Sequence, residues 1–403
     1  MQGFWLVQIR VNDIYIFMKR FMLAAVTALT AFNAADAAEL SEAAEGTGAV
    51  QATEASDTAS VKKRGGIFSD FVQNTTFGGY VIGKYSVDDR NPDPQNGFSF
   101  RLIRLYADGK MGDFAYKLQI DMTGSANSGT LSNEKSPHVV DAWIEWQRFS
   151  FAKIKFGQFK RGFTFENPMH PWNYGFGGNS LVISKLVGYS DRSGEHSCGG
   201  RDFGAQVQGD LLPVASDRHP LFHYQVGVFN GQGINHSDAD SRKDVIGGVW
   251  VNPIKGLSIG AFGWSGSYTK SGTTVDRNRW AVGLNYTGPF LVRAEYVGSE
   301  GGAIGSDGTI NEALGNKADG WYVSAGMPVC KNLELFAKWD VYRESRKSST
   351  AIEQYDISAN WHIYKNLMLQ LNYYFTCDKS LSTRNSGADR YYNTADVQVY
   401  FRF

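Results

Sequence analysis

From Asn74 to Phe403 apolar and polar residues alternate with period two, in segments of roughly ten residues. One parity of each segment is bulky and apolar, and the other carries charges and amides. Between 114 and 122, Phe114, Tyr116, Leu118, Ile120 and Met122 oppose Lys117, Gln119 and Asp121. Between 354 and 363, Tyr355, Ile357, Ala359, Trp361 and Ile363 oppose Gln354, Asp356, Ser358, Asn360 and His362. Between 366 and 376, Leu367, Leu369, Leu371, Tyr373 and Phe375 oppose Gln370, Asn372, Tyr374 and Thr376. The pattern predicts sixteen strands, at 74–87, 97–110, 112–123, 138–148, 152–160, 201–211, 221–230, 243–252, 256–268, 278–288, 290–299, 319–327, 332–343, 354–363, 366–377 and 392–403.

The connectors alternate in length. Short turns fall at Met111-Gly112, 149–151, 253–256, Gly288-Pro289, 328–331 and Tyr364-Lys365, with a longer one at 212–220. Between them lie polar loops at 88–96, 124–137, 161–200, 231–242, 269–277, 300–318, 344–353 and 378–391. Short turns on one side and long loops on the other are the layout of a bacterial outer-membrane barrel. Strands with one lipid-compatible face must close on themselves, because lipid offers no partner to an edge. The fold expected is therefore all-β: a 16-stranded antiparallel transmembrane β-barrel over residues 71–403, with short periplasmic turns and long extracellular loops. Sixteen strands leave an aqueous channel, and an even count puts both termini on the periplasmic side.

The N-terminus reads as an address. Met18-Lys19-Arg20 is a positive start, Phe21–Phe32 is apolar, and Ala35-Asp36-Ala37 fits the small-x-small cleavage pattern. Residues 1–37 are expected to be a signal peptide cleaved after Ala37, with Met18 as the true start. Residues 38–70, poor in large apolar side chains until Ile67, read as a flexible periplasmic extension. The last strand alternates Ala395, Val397, Val399, Phe401 and Phe403 with Asp396, Gln398, Tyr400 and Arg402. Its terminal aromatic is the kind of signal that the barrel assembly machinery reads. Signal, strands and last residue together predict the outer membrane of a Gram-negative bacterium, with its lipid as the surrounding solvent.

Composition narrows the function. Glycine is frequent at 45 residues and proline scarce at 10, as an all-β chain requires. Lys and Arg number 40, as do Asp and Glu, so no basic excess points to nucleic acid. Any ion preference must come from where the charges sit. The three cysteines make no disulfide framework; Cys198 and Cys377 fall in loops of one side, where a bridge is conceivable, and Cys330 in a turn opposite. No metal-ligand spacing or nucleophile–histidine constellation is present, so neither cofactor nor enzyme is expected. A pore works through fixed charges at its narrowing. The connector 161–200 is the longest loop, and its Phe163, Phe165, Trp172, Tyr174 and Phe176 favour inward packing, with a short helix at 179–186 carrying Lys185. The loop cations Arg161, Lys185, Arg192 and Arg201 are interspersed with Glu166, Asp191, Glu195 and Asp202, which predicts a constriction of mixed charge. On the wall, Lys117, Lys153, Lys155, Arg293 and Lys338 hold the polar parity, offset by Asp121, Glu145, Glu295, Glu334 and Asp340. A structural or adhesive barrel without channel activity is the competing reading.

Three stretches carry a family resemblance: FSFRLIRLYADGKMGDFAYKLQ from Phe98, DAWIE from Asp141 and IKFGQFKRGFTFE from Ile154. Over roughly residues 77–403 the chain resembles the phosphate-selective porins O and P. The resemblance implies a homotrimer passing small hydrophilic solutes, anions such as phosphate among them, along inward arginines and lysines. The family motif has adjacent arginines where this chain has Arg101 and Arg104 separated by Leu102 and Ile103. Across that pair the alternation changes phase. A regular strand would send one arginine into lipid, at ~2–4 kcal/mol near the midplane, so a β-bulge at Leu102-Ile103 is predicted, turning both into the channel.

Overall fold

The computed structural model describes residues 67–91, 95–123, 137–381 and 390–403. The expected signal peptide, and the extension up to residue 66, lie outside them. The strands in chain order are β1 Thr75–Asp88, β2 Gln95–Met111, β3 Phe114–Asp121, β4 His138–Phe149, β5 Ala152–Lys160, β6 Arg201–Pro213, β7 Pro220–Phe229, β8 Asp244–Val251 and β9 Leu257–Ser265. They continue as β10 Ser267–Lys270, β11 Thr273–Asp276, β12 Asn278–Thr287, β13 Leu291–Glu300, β14 Lys317–Cys330, β15 Leu333–Arg343, β16 Ala351–Tyr364, β17 Leu367–Asp378 and β18 Tyr391–Arg402. All but β10 and β11 form one closed barrel, each strand antiparallel to its sequence neighbour and β18 returning to β1. Closure is completed by Gly79 and Phe403, which exchange backbone hydrogen bonds of 2.9 and 3.0 Å.

The alternation works as the sequence implies. Phe114, Leu118, Ile154, Phe156 and Ile357 stand exposed on the outside, where lipid receives them, while Gln370, Asn372, Asn360 and Gln398 are buried inside. An exposed apolar exterior over a polar interior inverts a soluble protein and suits a bilayer.

Two expectations are corrected. The strand at 256–268 and the loop at 269–277 are instead β9, ending at Ser265, and a separate β10–β11 hairpin. The break is at Gly266, where a Cβ would stand 1.9 Å from Asp244 Oδ1. That carboxylate accepts from Ser267 N and Trp264 Nε1, turning the chain away from the wall. Tyr268 and Val275 of the hairpin then bury against Ile304. At the other end, α1 (Ile67–Asn74) is a helix where the extension was expected to run into the first strand. Phe71 stacks on Tyr116 with ring centroids 5.5 Å apart, holding α1 to the barrel.

The β2 bulge exists, one residue earlier than predicted. Ile82 pairs with Leu102 but Gly83 pairs with Phe100, leaving Arg101 as the extra residue. Arg101 and Leu102 therefore both turn inward. Arg101 donates to Gln398 Oε1 at 3.1 Å and to Tyr400 Oη at 2.7 Å, while Phe98 and Phe100 remain on the outside.

Candidate functional site

The connector 161–200 folds into the lumen because the inner wall offers it an apolar bed. Phe262, Trp264, Tyr322 and Tyr342 face inward from β9, β14 and β15. Phe163 meets Phe262 and Trp264 edge-on, Phe165 meets Trp250 and Phe262, and Phe176 meets Phe336. Val182, Ile183 and Leu186 of the short helix α2 (Leu181–Leu186) are fully buried in the same cluster. Burying each such side chain is worth about 1.5–3 kcal/mol, so the loop is a packed element.

Its backbone donors are met by wall acceptors. Glu295 of β13 accepts from the amides of Phe165 and Glu166, Asp340 of β15 accepts from Leu181 N at 2.6 Å, and Asn372 Oδ1 of β17 accepts from Gly177 N at 3.0 Å. Glu166 caps α2 through Ser180 N and Oγ, both at 2.7 Å. These acceptors lie on strands far along the chain from the loop, so its path crosses the barrel interior.

An ion-pair cluster fixes the loop's two ends. Arg161 pairs with Glu195 at 2.6 Å and Asp202 at 2.9 Å, Arg277 with Glu195 at 3.1 Å and Asp244 at 2.7 Å, and Arg279 with Asp191 at 2.7 Å. All three guanidinium groups lie over the Trp264 ring, 4.7–4.8 Å from its centre. Burial alone would raise the Glu195 carboxyl, but Arg161 and Arg277 outweigh it and hold it down to about 2. Asp191 is likewise held below the usual carboxylate range by Arg279 against the cost of burial. Burial, with Glu195 beside it, pushes the Cys198 thiol up to about 12. Cys198, Cys330 and Cys377 are free thiols.

The sequence-predicted cations separate into two sets. Arg101, Arg104, Lys117, Lys155 and Arg161 border two cavities of about 280 and 500 Å³ on the β1–β6 side. Arg104 is tied to Asp121 at 2.7 Å, and Lys155 reaches Glu145 at 3.4 Å. Lys117 has no ion-pair partner among the described residues; its Nζ lies 5.1 Å from the centre of the Tyr106 ring. Lys153 pairs with Asp210 at 2.8 Å.

The remaining sequence-predicted cations contact the loop or its supports, and Arg293 also lines a cavity on the short-turn side. Arg192 donates to the carbonyls of Gly301, Leu314 and Gly315, and Arg293 to those of Asn173 and Tyr174. Lys338 sits between Asp340 and Asp356, and Lys185 bonds Ser190 Oγ. Arg161, although at the cavity edge, is fully buried in its ion pairs. Arg161, Arg192, Arg293 and Lys338 hold the loop or its supports, because a buried guanidinium or ammonium must be paired, whereas the Lys185 contact is exposed.

Arg201, expected among the loop cations, and Lys160 line both cavities, and Lys84 lines the smaller; neither lysine was anticipated. Lys84 shares the inward parity of Tyr80 and Ile82, whose apolarity disguised that face as the lipid side. Lys160 and Arg201 pair across β5 and β6 where the strands pass into the loop and parity ceases to guide.

Arg104, Lys160, Pro171 and Arg201 border both cavities, so the two adjoin along one basic stretch of the passage wall. Its bordering cations are Lys84, Arg101, Arg104, Lys117, Lys155, Lys160, Arg161 and Arg201, against the carboxylates Asp141 and Asp396. A third cavity of about 540 Å³ opens at the short-turn side, between Trp172 and the 287–291 turn. Ion pairs thus occur on both sides, Arg201 with Asp141 among them. Lys84 and Lys117 are the cavity lysines of the β1–β6 side with no ion-pair partner among the described residues, besides Lys160, whose Nζ donates to the carbonyls of Asn167 and Met169.

A barrel narrowed by a loop folded against its own wall has the architecture of a porin. Residues 79–168 match the model of the phosphate-selective porin O and P family. The porin fold extends over the whole barrel. An anion-selective porin from Comamonas acidovorans is similar at a TM-score of 0.60 and 13% identity, over 82% of this chain and 99% of that one. OmpF of Salmonella typhi gives 0.57 and 12% identity over 84% and 99%, and a trimer form of Vibrio cholerae OmpT gives 0.53 and 14% over 82% and 99%. A comparison with curated proteins finds no match. The family segment and the fold together support an outer-membrane channel.

Proposed function

We propose that this channel admits small hydrophilic solutes by passive diffusion and prefers anions, phosphate among them. The observation that carries this reading is the side on which the loop lies. It covers the wall bearing Glu295 and Asp340 and occupies those carboxylates with its own amides. On the opposite wall Lys84 and Lys117, which have no ion-pair partner among the described residues, are left bordering the cavities. A passage bordered by one sign concentrates counter-ions and lowers their entry cost. Reversal potentials of the refolded protein across a KCl gradient test it: the sign should be that of an anion-selective pore, and a cation-selective pore overturns the reading. An absence of steady conductance favours the structural or adhesive alternative.

Assembly as a homotrimer in outer-membrane lipid fits the resemblance and the trimer form of the similar OmpT. Export with cleavage after Ala37, and recognition of the strand ending in Phe403 by the barrel assembly machinery, complete the proposal. N-terminal sequencing of the mature protein should begin at Ala38.

A further inference from the structure

The larger cavity of the basic passage holds more than charge. Trp143, Phe159, Phe165 and Trp250 line it together with Lys117. Two residues that line it each hold a buried polar atom with no hydrogen-bond partner among the described residues: Gln206 Oε1 and His223 Nε2. Asp210 Oδ1 lies 2.7 Å from His223 Nδ1, which places the proton of the neutral ring there and leaves Nε2 an acceptor. The same ring stacks on Trp250, centroids 4.0 Å apart, so its orientation is set from both sides.

A bare oxyanion uses little of this. It offers mainly acceptors, gains nothing from aromatic rings, and has five heavy atoms where the cavity measures about 500 Å³. Buried unpaired acceptors call for a ligand that brings hydroxyl donors, and aromatic walls call for one with an apolar face. Lys117 calls for an acid group. Taken together, and resting on the anion-channel reading above, we infer that this cavity is a binding subsite for a hydroxylated organic acid with a flat carbon face, of the sugar-acid class. Hydroxyls donate to Gln206 Oε1 and His223 Nε2, the ring lies along the aromatic wall, and the carboxylate meets Lys117.

The test uses the full-length barrel in planar bilayers, with sodium glucuronate, glucose and inorganic phosphate as probes of ion-current block. Glucuronate should reach half-block at a concentration about tenfold below that of glucose or phosphate, as expected where a site hydrogen-bonds hydroxyls and pairs an acid together. Trp143→Leu and Gln206→Leu should each weaken glucuronate block several-fold relative to phosphate block, whereas Lys117→Gln should weaken both. Should one of the two leucine variants fail to insert, the other supplies the comparison. Equal block by glucuronate and phosphate, or glucuronate block indifferent to the leucine variants, overturns the inference. Loss of the anion preference itself is read separately, from the reversal potential in KCl without probe, and would count against the channel reading instead.

Discussion

The two halves of the barrel wall carry similar residues and use them in opposite ways. On β12–β17 the carboxylates Glu295 and Asp340 accept loop amides, Arg279 and Arg293 bond loop groups, and Lys338 is enclosed by Asp340 and Asp356. Its charges are spent on holding the constriction. On β1–β6, Lys84 and Lys117 border open space with no ion-pair partner among the described residues, while Arg104, Lys155 and Arg201 border it paired with Asp121, Glu145 and Asp141. A chain with equal numbers of acidic and basic residues thereby obtains a basic passage. The sign of a pore depends on which charges the constriction loop covers, more than on how many the chain holds.

The strongest attack on this contrast is at the latch. Arg161→Met leaves Glu195 and Asp202 as buried carboxylates short of a partner, and should destabilise the loop's seat by about 3–5 kcal/mol. Limited proteolysis should then cut within 161–200 in the variant and spare the original; an uncut variant would show that the apolar bed holds the loop without the ion pairs. Next in size is a charge exchange on each wall. Lys117→Glu should shift the KCl reversal potential toward cations, while Lys338→Met, on the occupied wall, should lower stability and leave the sign unchanged. If Lys338→Met shifts selectivity as much as Lys117→Glu, the two walls do not differ in function.

Acid separates them more gently. Glu195 and Asp191 have depressed carboxyl pKa values, so their contribution is fully present above the unfolded carboxylate range. It is lost only as pH falls from about 4 toward the folded value near 2. Protease resistance of the loop should accordingly be flat from neutral pH to about pH 4 and decline below it; a decline beginning near neutrality would assign the latch to other groups. The smallest effect is expected at the bulge. Arg101→Leu forfeits bonds to Gln398 and Tyr400, about 1–3 kcal/mol, and should reduce anion preference less than Lys117→Glu does. An effect equal to that of Lys117→Glu would make Arg101 a principal element of the passage.

Strand number, closure and the facing of most side chains were legible in the sequence, because period-two alternation records directly which side meets lipid. Even the β2 irregularity was visible, since two arginines of opposite parity in a membrane strand demand an extra residue between them; its position at Arg101 depended on pairing with β1. The β10–β11 hairpin was missed because it continues the alternation of β9 past Gly266 without a change of composition. The site was only partly legible. Inward Lys117 and Lys155 follow from parity, but Lys84 hides among the inward apolar residues Tyr80 and Ile82, and Lys160 and Arg201 stand where strands become loop. What separates Arg293 and Lys338 from Lys117 is the seat of the 161–200 loop, which brings residues more than a hundred positions apart into contact. The sequence alone determined a lipid-facing barrel with cations inside it, because facing is a local, periodic property. Only the tertiary structure decided which cations are left to meet a solute, because pairing depends on long-range packing that no local pattern encodes.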